Sequence, residues 1–193
     1  MVHFTSKREK TLWLWVIVVL FVIFATLFVG RPLANLLENQ DLQAIFFLIG
    51  MVFVGATILI HAVRKPRSGI ELTLVLGIMA VYIMLFLRLG LAERSHLIEY
   101  SVLAILIHMA LLERKKVKEG LRFPALFAML LAFVIGVIDE SLQLFIPERV
   151  FDPVDILFNG IVIVAAIGAY LLIHWIRNRT NSKKMLDDKS SKS

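Results

Sequence analysis

The 193-residue chain is 59% hydrophobic and carries a formal net charge of +6. Its mean hydropathy of +0.83 is above what a soluble domain sustains, because soluble domains are closer to half apolar. The chain contains no cysteine, which excludes disulfides, thiolate catalysis and Cys-based metal sites. The composition therefore predicts an integral membrane protein.

Six apolar blocks are each long enough, at ~20 residues for a ~30 Å hydrocarbon core, to cross a bilayer as a helix. The first follows Lys7, Arg8 and Lys10 and is longer than a signal-peptide core, so we interpret it as a retained helix. We expect an all-α bundle of six transmembrane helices with short loops. The six blocks cover residues 11–29, 44–62, 70–89, 92–112, 124–146 and 155–176.

The predicted organisation has three parts. Residues 1–90 hold three N-terminal spans, residues 91–176 hold a core of three spans, and residues 177–193 form a cytoplasmic tail. The tail reads RNRTNSKKMLDDKSSKS, and its polar composition is typical of disorder.

The distribution of basic residues predicts the orientation. All but four of the 21 Lys and Arg residues lie before the first block, in the 63–69 and 113–123 loops, or in the tail. The positive-inside rule makes that side cytoplasmic and puts both termini inside. These basic residues flank the helices on the inner leaflet, where they meet anionic lipid headgroups. We therefore expect membrane lipids as partners and no nucleic acid. The four exceptions are Arg31, Arg88, Arg94 and Arg149.

Polar residues gather at the predicted outer end of the last two spans. Residues 136–160 read GVIDESLQLFIPERVFDPVDILFNG. Asp139 lies about 22 Å along its helix from Pro124, which places Asp139 and Glu140 one to two turns below the outer surface. Gln143, four residues after Asp139, shares its face. In the sixth span, Asp155 and Asn159 are also four residues apart.

The fourth span brings further polar groups to the same level. His96, Glu99 and Tyr100 follow i, i+3, i+4 spacing on one helical face, with Arg94 and Arg88 close in sequence. A charged side chain at the bilayer centre costs about 2.5–3.5 kcal/mol on insertion scales. We therefore expect these groups to face one another or an outward-facing polar pocket.

Four ordered motifs resemble those of the VanZ-like family of bacterial membrane proteins. They are HxxEY from His96, DExxQ from Asp139, PxR from Pro147 and DxxxN from Asp155, and the resemblance covers about residues 88–170. Two positions depart from the family pattern. Glu148 and Val162 stand where the family usually has glycine, so the loop turn and the packing of the sixth span are expected to differ.

The resemblance implies a location in the bacterial cytoplasmic membrane and an effect on cell-envelope properties at its outer face. The family's namesake is linked to low-level resistance to the glycopeptide teicoplanin. A lipid-linked cell-wall precursor or another glycopeptide-related target is therefore an implied partner. The resemblance implies no oligomeric state.

Two interpretations of the polar residues stay open. In the first interpretation they stabilise the bundle through interhelical hydrogen bonds. In the second they form a functional pocket. In an enzyme, Asp139, Glu140, His96 and Glu99 would be acid–base groups on a lipid-linked substrate. No cofactor is predicted, and no metal, because the His and acidic donors lack a tight motif such as HExxH. The substrate-binding candidates are Arg149, Gln143, Asp155, Asn159, Tyr100, Arg94 and Arg88.

Overall fold

The computed structural model of the chain describes residues 4–37, 69–88, 91–117, 121–146 and 151–190. Within these ranges every regular element is an α-helix, as predicted. The helices are α1 (Lys7–Leu37), α2 (Gly69–Arg88), α3 (Leu91–Lys115), α4 (Pro124–Gln143) and α5 (Pro153–Ser190).

Four of the described helices are long and apolar enough to cross a membrane. These stretches are Lys7–Phe28, Ser95–Lys115, Pro124–Gln143 and Pro153–Ser182, and α2 contains a shorter apolar stretch, Leu72–Met84. The predicted second span, 44–62, lies outside the described residues, so six spans remain a prediction. The remaining five predicted spans each correspond to a helix.

The described residues form two compact units. One contains those within Met1–Arg31 and Arg88–Tyr170, and the other contains those within Pro32–Leu87 and Leu171–Ser193. The start of α1 belongs with α3, α4 and most of α5. The predicted boundary between residues 90 and 91 stays a prediction. All the contacts that follow lie in the first unit.

The packing of α3 against α4 positions the polar residues. The buried face of α4 carries Ala128, Ala132 and Gly136 at every fourth position. Small residues at this spacing let two membrane helices approach closely. Large apolar residues of α4 such as Phe127 and Val134 are about half exposed, as expected of a face that contacts lipid. The two helices thus bring their polar side chains together without an apolar layer between them.

The start of α1 is held by a capping arrangement that also reaches α3. The Glu9 backbone N–H donates to Ser6 Oγ (3.0 Å), and the Thr5 backbone N–H and hydroxyl each donate to Glu9 Oε2 (2.6 Å). Arg114 Nε lies 3.7 Å from Glu9 Oε1. The first turn of α1 therefore meets the last turn of α3. The predicted topology places these two ends on the same side of the membrane, and that orientation stays a prediction.

Helix α5 begins at a cap and continues beyond its predicted end. Asp152 Oδ1 accepts from the Val154 backbone N–H at 2.8 Å, and Pro153 occupies the first turn, where a missing N–H costs little. The helix runs to Ser190, through residues that composition predicted to be disordered. Once a helix exists, each added residue gains one hydrogen bond, and Lys, Arg, Met and Leu are good helix formers.

Candidate functional site

Four side chains from α3 and α4 form a buried polar cluster, which consists of His96, Tyr100, Asp139 and Glu140. None of the four is more than 7% exposed. His96 and Tyr100 come from the beginning of α3, and the two acids come from the end of α4. Consecutive helices joined by a short connection run antiparallel, so these two ends meet.

Specific contacts connect the members of the polar cluster. The Tyr100 hydroxyl donates a hydrogen bond to Asp139 Oδ2 at 2.9 Å. His96 Nε2 lies 3.6 Å from Glu140 Oε1, within ion-pair distance if the imidazole is protonated. The His96 and Tyr100 rings stack with centroids 5.8 Å apart and planes 20° apart. Asp139 is thus hydrogen-bonded to Tyr100, and Glu140 lies close to His96.

Gly136 and Asn159 form the wall beside the Tyr100 ring. A Cβ added to Gly136 would lie 3.2 Å from Tyr100 Cε1 and 3.6 Å from the Cβ of Asn159. Gly136 precedes Asp139 by three residues and Glu140 by four, so it lies one turn below them on the same face. Asn159, from α5, is only 1% exposed. Helix α5 therefore places the amide of Asn159 beside the polar cluster.

The polar cluster concentrates two acidic groups in the interior of the protein. Two adjacent carboxylates at 2% and 0% exposure are costly in a low-dielectric interior unless paired or neutralised. His96 offers one positive charge when protonated, and Tyr100 offers a single donor. One ligand atom each from His96, Asp139 and Glu140 lie within 4.8 Å of one another, so these three residues also have the donors and spacing to hold a metal ion.

The predicted site residues differ in burial, and the structure does not describe the side chains of all of them. His96, Tyr100, Asp139, Glu140, Gln143 and Asn159 are all buried, and the first four are connected by the three contacts described above. Glu99 and Asp155 are half-buried. Arg149 lies outside the described residues, and Arg88 and Arg94 lie on helices whose side chains are not described at those positions. The polar groups are packed together, and an opening to the outer surface stays a prediction.

Two features of the site were not anticipated from sequence. Spacing along α3 places His96 near Glu99, and the structure also brings His96 Nε2 within 3.6 Å of Glu140 Oε1 on α4. Gly136 was not singled out, although it is the position at which the Tyr100 ring passes α4. A glycine one turn before a pair of intramembrane acids was the available signal.

Comparison with known proteins gives one result for most of the chain. A model of the VanZ/LLP1 family matches residues 12–174, which confirms the resemblance predicted from the four motifs. The match includes every member of the polar cluster. Comparisons with curated proteins and with solved structures returned no match.

Proposed function

Because the chain belongs to the VanZ/LLP1 family, we propose that it acts at the outer face of the bacterial cytoplasmic membrane on a lipid-linked envelope component. Through that component it lowers the amount of teicoplanin that the cell binds. The observation that supports this proposal is the polar cluster, buried between helices long and apolar enough to cross a membrane.

The cost of the polar cluster supports a functional role. The small residues of α4 and the buried apolar residues of α3, such as Leu103 and Ile107, already provide apolar packing. Two buried acids add no packing energy, and acids within spans are rare and mostly functional. The two buried acids therefore favour a functional role over one in bundle stability alone.

An anionic headgroup is the substrate class that the surrounding charges favour. Arg149, Arg88 and Arg94 lie near the polar cluster in sequence and on the predicted outer side. Guanidinium groups bind phosphates and carboxylates through two parallel hydrogen bonds. In this proposal the arginines hold the headgroup while the polar cluster engages it.

A membrane-embedded enzyme is a second candidate, favoured by the approach of His96 to Glu140. A carboxylate next to an imidazole is a common arrangement for proton transfer. Tyr100, which donates to Asp139, adds a second proton-bearing group. In this case the acids and His96 would transfer protons on the lipid-linked substrate.

A cell experiment tests the proposed function. A bacterial host would express wild type, Asp139→Asn, Glu140→Gln or Arg149→Gln at matched folded levels, and labelled teicoplanin bound per cell would be measured. Glu113→Gln is the matched control, because Glu113 pairs with Lys116 at the far end of α3. We expect wild type and the control to lower binding and Arg149→Gln to lose that effect, while Asp139→Asn and Glu140→Gln separate the two candidates.

The variants also separate the two candidates. An enzyme requires the acids, so Asp139→Asn should abolish the effect together with any envelope-lipid product detected by mass spectrometry. A binding protein should tolerate acid-to-amide changes and fail with Arg149→Gln. If all variants behave as wild type, the polar cluster has no part in glycopeptide binding and the proposal is wrong.

A further inference from the structure

We propose that His96, Asp139 and Glu140 bind a divalent transition-metal ion. One nitrogen or oxygen from each residue lies within 4.8 Å of the others, and the three side chains come from two helices that are packed together. The inference deepens the proposed function by naming what the polar cluster holds, and it depends on that function only for its biological role.

The donor types select the class of ion. One imidazole nitrogen with carboxylate oxygens suits Zn²⁺ and Mn²⁺, because imidazole favours transition metals over Mg²⁺ and Ca²⁺. Ca²⁺ also requires about 6–8 oxygen ligands, more than this group of three residues supplies. Three protein ligands leave a coordination position for water or substrate, which is the pattern of catalytic sites.

The charge of the site favours a divalent ion. Asp139 and Glu140 together carry two negative charges when ionised, and both are almost fully buried. A divalent cation with a neutral imidazole neutralises both carboxylates at once. A protonated His96 neutralises only one of them.

Tyr100 has the position of a supporting residue. Metal-binding carboxylates are usually held in place by a second hydrogen bond, which fixes their orientation. The Tyr100 hydroxyl donates to Asp139 Oδ2 at 2.9 Å, and a carboxylate has a second oxygen to offer an ion. The stacked ring of Tyr100 also restricts the rotation of His96.

Asn159 is an independent indication of a ligand. Its side chain is 1% exposed, and neither Nδ2 nor Oδ1 has a hydrogen-bond partner within the described part of the chain. Its Cβ lies against Gly136, beside the Tyr100 ring and one turn from Asp139. Buried amides are almost always hydrogen-bonded. A water on the bound metal would provide Asn159 with a partner.

The test measures metal bound to the purified full-length chain. The protein in detergent would be treated with a chelator, reloaded with Zn²⁺ or Mn²⁺, separated from free ion by gel filtration and analysed by mass spectrometry. We expect wild type to retain about one ion per chain. Loading with Co²⁺ should give a visible absorption spectrum, which reports coordination directly.

Matched variants assign the ion to the site. His96→Gln, Asp139→Asn and Glu140→Gln should each lose the retained ion, while Tyr100→Phe should bind about 10–100-fold more weakly. The controls are His174→Gln, which removes an exposed histidine, and Glu113→Gln, which removes an acid at the far end of α3. Both controls should retain the ion as wild type does.

Two results would overturn the metal site. The first is a folded wild type that retains neither Zn²⁺ nor Mn²⁺, an outcome that depends on no variant. The second is a folded His96→Gln or Glu140→Gln protein that retains as much ion as wild type. Metal retention without an effect on teicoplanin would reject the proposed function alone. An effect on teicoplanin without metal retention would reject the metal site alone.

Discussion

Each end of helix α3 contacts a buried acidic centre on another helix, and the two centres are built differently. At the C-terminal end, Glu9 is bound by the Thr5 backbone and hydroxyl and approached by Arg114. At the N-terminal end, about 27 Å away at 1.5 Å per residue, two acids meet His96 and Tyr100. At the C-terminal end, one carboxylate lies near one guanidinium group. At the N-terminal end, two carboxylates lie near an imidazole and a phenol.

The difference separates a structural site from a candidate functional one. The hydrogen bonds of Glu9 come from residues three or four positions away, as in the capping boxes that begin many helices. The polar cluster has no such local explanation, since its contacts join residues about forty positions apart. A polar cluster assembled from two helices is a more costly way to stabilise a bundle than a local cap, which makes it the better place to look for function.

The largest expected effect is the loss of metal-dependent stability in Glu140→Gln. An ion at a hundredfold excess over its dissociation constant stabilises a protein by about 2.7 kcal/mol, so Zn²⁺ should raise the unfolding temperature of wild type. The variant should show no such rise. Thermal unfolding in detergent, with and without Zn²⁺, measures this difference.

Glu9→Gln is the matched control for that measurement. Its unfolding temperature should respond to Zn²⁺ as wild type does. An equal loss of the Zn²⁺ response in Glu9→Gln and Glu140→Gln would show that the two centres do not differ in the way the structure suggests.

A smaller effect is expected from Gly136→Ala, which tests whether the polar cluster depends on close helix packing. The added Cβ would lie 3.2 Å from Tyr100 Cε1, and overpacking of this kind costs about 1–3 kcal/mol. The control is Gly168→Ala, where nothing lies within 4 Å of the added Cβ. That change should stabilise the helix by about 0.5–1 kcal/mol. Opposite shifts in unfolding temperature are the expected result, and equal shifts would contradict the described contact.

The smallest effect is expected from Glu9→Gln at constant metal concentration. Glutamine keeps an oxygen that accepts from Thr5 but loses the attraction to Arg114. Because the Arg114 side chain is 31% exposed, that attraction is worth about 0.5–1 kcal/mol. Lys116→Gln, at a well-exposed position, should leave the unfolding temperature nearly unchanged. A loss of several kcal/mol in Glu9→Gln would mean that this centre, too, does more than cap a helix.

The sequence was sufficient to predict a helix at each of five described apolar blocks and to single out the residues of the polar cluster. Long apolar blocks predict spans directly, and polar residues within them are visible because they are rare. Spacing along one helix placed His96 and Tyr100 on one face, and Asp139 with Gln143 on another. These predictions use only the geometry of a single helix.

Contacts between helices could not be derived in the same way. The approach of His96 to Glu140 depends on the depth and rotation of α4 against α3. The small residues of α4 set this packing, and the spacing of residues within a single helix cannot predict it. Glu9 was missed for a related reason. Its partner Arg114 was counted among the cytoplasmic basic residues, and nothing in the local sequence distinguishes it from the neighbouring Lys115 or Lys116.

The hairpin formed by α3 and α4 also bears on how the protein is made. Its two helices are joined by a short connection, and the polar residues lie at the end opposite that connection. In the predicted topology this is the end beside the outer loops, so nascent chain bearing His96 and then Asp139 must cross the bilayer during synthesis. Entering as a paired hairpin, with the Tyr100 hydroxyl on Asp139, would shield the acids from lipid. Membrane insertion and assembly of the polar cluster would then be one event.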